Sequence, residues 1–525
     1  MEEIKVLVTD NLEQEGISIL KNANFYVEEK GKLSVEELEK IIGQYDILIV
    51  RSGTKVSSSV IEKADRLKII GRAGVGVDNV DVKTATAKGI IVMNAPEGNT
   101  LSASEHTIGL ILSLVRNIPQ AHNILKAGKW ERNKFIGTEL FGKTLGIIGL
   151  GRVGKRVAFI AHSLGMKILG FDPYLSQEDA VSLNISLLTL DGLCKQSDII
   201  SLHTPLLPET KYILSEKQFS IMKEGVIIIN AARGGLIDES ALIKYIKNGK
   251  VKGAALDVFE KEPPVESELL KMENVVVTPH LGASTKEAQI NVARDISQQI
   301  IDAIEKKIIR NAVNLPTMDE KLYEKMKGYL SLSEKLGMFL SQLVDNLPEF
   351  LTIEYAGEIV NYDISSLRAY ILKGFLEKFY PVTYVNAPLI LREKSIKLSE
   401  IKSEMAGEFF TTITIEAKYL EESFSVTGTV VSEKLKIVKI NGFDVEAVPQ
   451  GYLLICFNDD KPGLMGYIGT VIGRQNVNIA SMTLGRKEKG GPAITVLNLD
   501  SEIDNQTIKE IKQFSGIWWI KLVKC

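Results

Sequence analysis

The stretch Thr144 to Asp172, TLGIIGLGRVGKRVAFIAHSLGMKILGFD, constrains the fold more than any other part of the chain. An apolar run from Leu145 to Leu150 meets Gly149, Gly151 and Gly154. An amphipathic segment follows with Val153, Val157, Ile160, Ala161 and Leu164 on one face, and a second apolar run ends at Asp172. The pattern predicts strand, tight turn, helix, strand, the frame of a dinucleotide site. Glycines alone are weak evidence; their place between a strand and a helix gives them weight. Gly149 makes the turn, Gly151 lets the backbone approach a pyrophosphate, and Gly154 lets the helix pack on the strand. The pyrophosphate would lie on free N–H groups at the positive end of the helix. Asp172 would accept hydrogen bonds from both adenosine ribose hydroxyls and repel the extra phosphate of NADP, so the expected cofactor is NAD.

At 525 residues with 45% hydrophobic content, the chain has room for roughly three or four domains. A net charge of −3 gives no general attraction for nucleic acid or an anionic membrane. The start, MEEIKVLVTD, reads directly as a strand, and no long uncharged apolar stretch follows. Cys194, Cys456 and Cys525 are too scattered for a zinc site or a disulfide framework. A soluble, cytoplasmic, metal-free protein is expected.

Ile4 to Val8, Ile47 to Val50 and Leu67 to Ile70 read as buried parallel strands separated by helical segments such as Val35 to Ile42. The second runs into Arg51 and the third into Gly71-Arg72-Ala-Gly74-Val75-Gly76-Val-Asp78. Ligands of open α/β sheets bind beyond the carboxyl ends of the strands. A single arginine there is usually a solvated surface residue. Two at equivalent strand ends, one beside Gly74 and Gly76, favour an anion pocket. A helix from Ser102 to Val115 could cross to a second domain as a hinge; His106 within it, and His122, read as ordinary helix or loop residues. Trp130 to Lys134 reads as a charged loop suited to a subunit interface.

Beyond Asp172 the alternation continues. Asp198 to His203 is a strand ending in Thr204, and Gly225 to Asn230 is a strand ending in Ala231-Ala232-Arg233. Ala254-Ala-Leu-Asp257 leads to Glu262, and Val275 to Thr278 runs into Pro279-His280-Leu-Gly282-Ala283. Arg233, Glu262 and His280 therefore lie on the cofactor side of a sheet, where they suit hydride transfer at a carbinol. A neutral histidine can take the hydroxyl proton near pH 7. A carboxylate beside it orients the ring and stabilises the imidazolium, and an arginine can hold the substrate carboxylate in a two-point contact. On chemistry alone His280 could equally be a core residue and Glu262 part of a solvated loop.

Eight blocks spread over residues 1 to about 311 resemble the D-isomer-specific 2-hydroxyacid dehydrogenases, within them the branch that oxidises D-3-phosphoglycerate: RSGTKV, GRAGVGVDNVD, GKWERNKFIGTEL, GLGRVGKRVA, HTPLLPET, NAARGGLIDE, AALDVFEKEPP and TPHLGASTKEAQ. The resemblance implies that Arg233, Glu262 and His280 are catalytic. It puts NAD contacts on Val75, Arg152, Val153, Asp172, Thr204, Ala231, Ala232, Arg233, Asp257, His280, Gly282 and Ala283, beside the glycine turn. It also implies a divided first domain, residues 1–97 with 285–311, that returns through a helix from Thr285 to Ile308 and closes over an NAD domain at 98–284. Arg233 serves the substrate carboxylate, which leaves Arg51, Arg72 and Gly74 for a second anion, fittingly a phosphate. The expected reaction is oxidation of D-3-phosphoglycerate to 3-phosphohydroxypyruvate, at the entry to L-serine synthesis. The rival readings are a glyoxylate or hydroxypyruvate reductase and a non-catalytic NAD-sensing interaction protein.

Asn311 to Pro316 reads as a linker. Residues 317–448 carry helical patterns (Leu330 to Val344) and alternating segments with no catalytic cluster, and resemble the intervening domain of the long members of this branch. Residues 451–525 fit βαββαβ and resemble an ACT domain, an amino-acid-sensing module. In that module an Asp-x-Pro-Gly loop and an asparagine at the second strand hold effector between subunits. This implies Asp460 and Asn478, with Asn458 beside them, as contacts for L-serine in a homodimer or homotetramer. The expected fold class is thus α/β, two Rossmann-like doubly wound parallel sheets followed by an α+β intervening domain and the ACT domain.

Overall fold

The computed structural model describes residues 3–306, 308–316, 318, 320–419 and 422–525. The first sheet holds β1 (Lys5–Val8), β2 (Tyr26–Glu29), β3 (Ile47–Val50), β4 (Ile69–Arg72) and β5 (Ile91–Asn94) in the order β2-β1-β3-β4-β5, all parallel. Strand β3 is ILIV with every residue buried, because apolar cores cover both faces of the sheet. Val6, Val8, Ile47 and Ile49 pack with Val292, Ala293, Ile296 and Ile300 of the returning helix Lys286–Glu305. Strand β4 starts and ends two residues later than the sequence suggested, since Gly71 and Arg72 pair with Met93 and Asn94 of β5.

The second sheet holds β6 (Thr144–Ile148), β7 (Lys167–Phe171), β8 (Ser186–Leu187), β9 (Ile199–Leu202), β10 (Val226–Asn230), β11 (Val251–Leu256) and β12 (Val275–Val277). It is parallel throughout, in the order β12-β11-β10-β9-β6-β7-β8. The chain builds outward from β6 to β8 and then crosses back to β9 on the other side of β6. The order therefore reverses between β6 and β9, the place where an open α/β sheet forms a crevice for a ligand. The helix Thr100–Val115 lies against this sheet, with Ile108, Ile111 and Leu114 in the core that also holds Leu145 and Ile147.

The third sheet is β13 (Phe350–Gly357), β14 (Lys397–Ser403), β15 (Thr411–Lys418), β16 (Ser423–Val431), β17 (Lys434–Ile440) and β18 (Phe443–Ala447), ordered β14-β13-β15-β16-β17-β18. Only the β13–β14 pair is parallel. The helix Glu320–Leu343, which begins earlier than expected, packs on it with Ser365–Leu376. The fourth sheet is β19 (Tyr452–Asp459), β20 (Ile479–Arg486), β21 (Pro492–Leu499) and β22 (Ile517–Lys524), antiparallel in the order β20-β21-β19-β22. Leu464–Arg474 and Asn505–Lys512 cover one face, and Leu453, Ile455, Phe457 and Val496 on the other join the core of the third sheet.

Residues 311–314, read from the sequence as part of a linker, extend the first sheet instead. Ala312 forms an antiparallel bridge with Met93, and Val313 N–H donates to Val92 O at 2.6 Å. The free edge of β5 supplied unpaired backbone groups for them. Among the described residues no helix is long and apolar enough to cross a membrane.

Candidate active site

The glycine turn after β6 has the backbone its sequence demands. Gly149 has φ +94°, and a side chain there would meet Thr204 Cγ2 at 2.7 Å; one at Gly154 would lie 2.0 Å from Gly149 O. Nothing stands within 4 Å of the space a Gly151 side chain would take, so the start of the helix Arg152–Ser163 is open to a ligand. The Asp172 carboxylate, at the end of β7, accepts from Leu150 N–H at 2.8 Å and Tyr174 N–H at 2.9 Å, which fixes it under the turn. Thr204 Oγ1 is buried and has no hydrogen-bond partner among the described residues. An open N-terminal helix turn, an anchored carboxylate and an unsatisfied hydroxyl at one switch point fit NAD. Arg152 begins the same helix, with Nη2 3.3 Å from a Glu97 carboxylate oxygen.

Beside this crevice His280 Nδ1 lies 2.9 Å from Glu262 Oε2. His280 has φ +55°, a left-handed conformation that costs energy outside glycine, and it is held there by donating its N–H to Asp257 O at 2.9 Å. The hydrogen bond that His280 donates to Glu262 raises the His280 pKa above the ordinary histidine value, against a downward push from burial. Burial pushes the Glu262 carboxyl up, but His280 and the N–H of Phe259 outweigh it and hold the group below the usual range. Asp257 is fully buried and organises the loop: its carboxylate accepts from Thr278 Oγ1 at 2.6 Å, Leu281 N–H at 2.7 Å and Gly282 N–H at 2.9 Å. His106 Nε2 sits 3.1 Å from Asp257 Oδ1, and Ser102 Oγ donates to Gly282 O at 2.8 Å. His106, read as an ordinary helix residue, thus braces the loop that carries His280. Ser102 and His106 stand four apart on one helix face, a spacing that could have revealed the pair.

Asn230 shapes the turn after β10, accepting from Ala232 N–H at 3.0 Å and donating to Arg233 O at 2.8 Å. Arg233 Nη1 donates to Ala232 O at 2.7 Å, and Nε lies 3.3 Å from an Asp78 carboxylate oxygen in the loop after β4, so this pair spans the cleft. A cleft of about 360 Å³ is lined by Arg51, Arg72, Gly74, Glu262, His280 and Ala283, among others. Arg72 is pushed down to about 10 by burial and then by the like charge of Arg233 and Arg51, and its Nε lacks a partner among the described residues. Gly74, at φ +148°, makes room for it: a side-chain carbon there would fall 1.4 Å from Arg72 Nη1. One at Gly76 would come within 2.3 Å of Arg233 Nη2. Val75 is tied down by its carbonyl, which accepts from Asn94 Nδ2 at 2.6 Å.

Two supporting residues were not singled out from the sequence. Asp10, itself left-handed, accepts from Arg51 N–H at 3.0 Å, Thr54 N–H at 2.8 Å and Thr54 Oγ1 at 2.8 Å. Asn79 Nδ2 donates to Arg51 O at 2.7 Å and Thr54 O at 2.6 Å. Together they clamp the turn that carries Arg51.

The three candidate effector residues do not meet within one chain. Asn458 is buried, its Oδ1 accepting from Thr495 Oγ1 at 3.0 Å. Asp460 pairs with Arg486 at 2.6 Å, and Asn478 Nδ2 donates to Asp500 Oδ2 at 2.8 Å. Asp460 follows the Asp459–Pro492 end of the sheet, whereas Asn478 precedes β20 at the Tyr452–Leu499 end. That separates them by roughly 20 Å or more of strand.

Family models match residues 108–282 as the D-isomer specific 2-hydroxyacid dehydrogenase NAD binding domain, 325–441 as the D-3-phosphoglycerate dehydrogenase intervening domain, and 452–516 as an ACT domain. The D-3-phosphoglycerate dehydrogenase of Methanocaldococcus jannaschii is 43% identical over 517 residues, 98% of each chain. That of Bacillus subtilis is 40% identical over 522 residues, 99% of each. Among solved structures, a glyoxylate reductase from Paecilomyes thermophila superposes with a TM-score of 0.56 at 30% identity, over 60% of this chain and 99% of its own. The D-lactate dehydrogenase of Aquifex aeolicus, complexed with NAD and lactic acid, superposes with a TM-score of 0.52 at 30% identity, over 57% and 96%. The chain therefore belongs to the D-3-phosphoglycerate dehydrogenase family, the NAD-dependent D-isomer specific 2-hydroxyacid dehydrogenases that carry intervening and ACT domains.

Proposed function

We propose that this enzyme oxidises D-3-phosphoglycerate to 3-phosphohydroxypyruvate, the entry step to L-serine. The observation that carries the reading is one cleft in which Arg51 and Arg72 face the His280–Glu262 pair, with Arg233 beside them. The glycine turn, Asp172 and Thr204 would hold NAD, which when bound would accept the hydride. Arg233 binds the substrate carboxylate, and Arg51 and Arg72 bind the phosphate, with Arg72 reaching the cleft through the space Gly74 leaves. Glu262 occupies His280 Nδ1 and so directs Nε2 to the C2 hydroxyl. The hydroxyl proton passes to Nε2 as the C2 hydride leaves and the carbon–oxygen double bond forms. The imidazolium then rests against the Glu262 carboxylate. Domain closure would exclude water from this cleft.

The boundaries that suit this reading are 1–97 with 285–311 for the substrate domain, 98–284 for the NAD domain, 317–448 for the intervening domain and 451–525 for the ACT domain. L-Serine is the proposed effector, held between Asp460 of one copy and Asn478 of another in a homodimer or homotetramer, because these residues lie at opposite ends of one sheet. Asn458 supports that loop from within, and Asn478→Ala should relieve serine inhibition. A cytoplasmic setting suits three cysteines that form no disulfide. The test is NADH formation at alkaline pH from D-3-phosphoglycerate, D-glycerate and D-lactate, with and without L-serine. A strong preference for the phosphorylated acid is expected, and equal rates with all three acids would overturn the substrate assignment.

A further inference from the structure

The short helix Val82–Ala87 lies between the anion pocket and the C-terminal half of the molecule. Its N-terminal end is tied to the anion pocket. Asn79 clamps the Arg51–Thr54 turn, Val56 N–H donates to Asn79 O at 2.8 Å, and Asp81 N–H donates to Val56 O at 2.9 Å. Its C-terminal end is gripped from the other half of the molecule. Thr383 Oγ1 donates to Gly89 O at 3.1 Å, and Asn386 Nδ2 reaches Ala87 O at 3.4 Å. From within the first sheet's own added segment, Asn314 donates to Thr86 Oγ1 at 3.1 Å and to Ile90 O at 2.9 Å. The fit is close. Gly89 is buried at φ +75°, and a side chain there would meet Thr383 Oγ1 at 2.6 Å and Asn386 Nδ2 at 2.9 Å. Asn386 is only 5% exposed, and its Oδ1 accepts from Thr383 N–H at 2.7 Å, so the two gripping residues form one unit.

We infer that Thr383 and Asn386 of the intervening domain are positioning residues for the substrate pocket, acting through the helix Val82–Ala87 and Asn79 on the turn that bears Arg51. The helix is only six residues long and is hydrogen-bonded at both ends, so a shift at Ala87–Gly89 would reach Asn79 through it. This gives the C-terminal half a mechanical hold on substrate affinity, and it leaves the glycine turn and the His280–Glu262 pair untouched. A perturbation of this contact should therefore change KM for the phosphorylated acid far more than kcat or KM for NAD. The inference rests on the proposed role of Arg51.

The experiment compares Thr383→Val, Asn386→Ala and Thr383→Ser with Asn79→Ala and Arg51→Ala in the full chain, reading KM for D-3-phosphoglycerate, KM for NAD, kcat and the melting profile. Thr383→Val and Asn386→Ala should each raise KM for the phosphorylated acid about threefold to tenfold. Thr383→Ser, which keeps the hydroxyl, should stay at the wild-type value, and KM for NAD should move less than about twofold in all of them. Thr383→Val is nearly isosteric, so it guards against an Asn386→Ala variant that misfolds. If Asn79→Ala and Arg51→Ala raise KM while Thr383→Val leaves it unchanged, the coupling is overturned and the pocket reading stands. If Arg51→Ala itself leaves KM unchanged, the pocket reading falls and the coupling falls with it. A loss of kcat and NAD affinity together in Thr383→Val would also overturn the proposal, because it would mark a general structural role.

Discussion

The two halves of the chain use sheets in opposite ways. In the catalytic half, each parallel sheet is covered on both faces by cores of its own, and the sheets meet through a polar cleft at their strand ends. In the C-terminal half, two largely antiparallel sheets bury their inner faces in a single core that runs from Met326 to Val523. A cleft between separately cored sheets can open without exposing apolar surface, whereas a shared core cannot. The catalytic half is therefore built for closure over a substrate, and the C-terminal half is built to move as one body.

The largest effect expected of any substitution lies in the cleft. His280→Ala should lower kcat about 100- to 10,000-fold with little change in melting temperature, measured by steady-state assay and calorimetry. The counterpart in the other half is Ile455→Ala, a fully buried residue of the shared core. It should cost about 2 to 5 kcal/mol and make both C-terminal sheets unfold in one transition. Two separate transitions would break the contrast between the halves. Next, Arg51→Ala or Arg72→Ala should raise KM for D-3-phosphoglycerate about tenfold to a hundredfold, with smaller change for an unphosphorylated 2-hydroxy acid.

The smallest effect is on pH dependence. Glu262 raises the His280 pKa, so the imidazolium persists to higher pH than in a free histidine, and only the neutral ring can accept the substrate proton. Oxidation should therefore speed up as pH rises through a value above about 6.5. Glu262→Gln should move that rise to lower pH and reduce the plateau, and an unmoved profile would remove the pair from the rate-determining proton transfer.

What could be read from the sequence follows the same division. Gly149, Asp172, Arg233, Glu262 and His280 sit at or just past strand ends, where local pattern alone fixes their position. Asp10, Asn79 and His106 act through partners 41, 28 and 151 residues away or similarly distant, which no local pattern reports. The pairing of Ala312 with Met93 escaped for the same reason, since it depends on an edge strand left open much earlier in the chain. Asn458 shows what a motif leaves open: its pattern suggests a ligand contact, and its register on β19 turns it inward toward Thr495. The shared core of the C-terminal half was equally hidden, because alternation along a strand tells that one face is buried but not against what.

Gly74 and Gly76 carry a last consequence. Each leaves empty the volume through which a guanidinium reaches the cleft, Arg72 in one case and Arg233 in the other. A single methyl group at Gly74 would evict the Arg72 guanidinium while every arginine remained in the chain. Gly74→Ala should therefore weaken binding of D-3-phosphoglycerate more than of D-glycerate, and KM values for the two acids measure it.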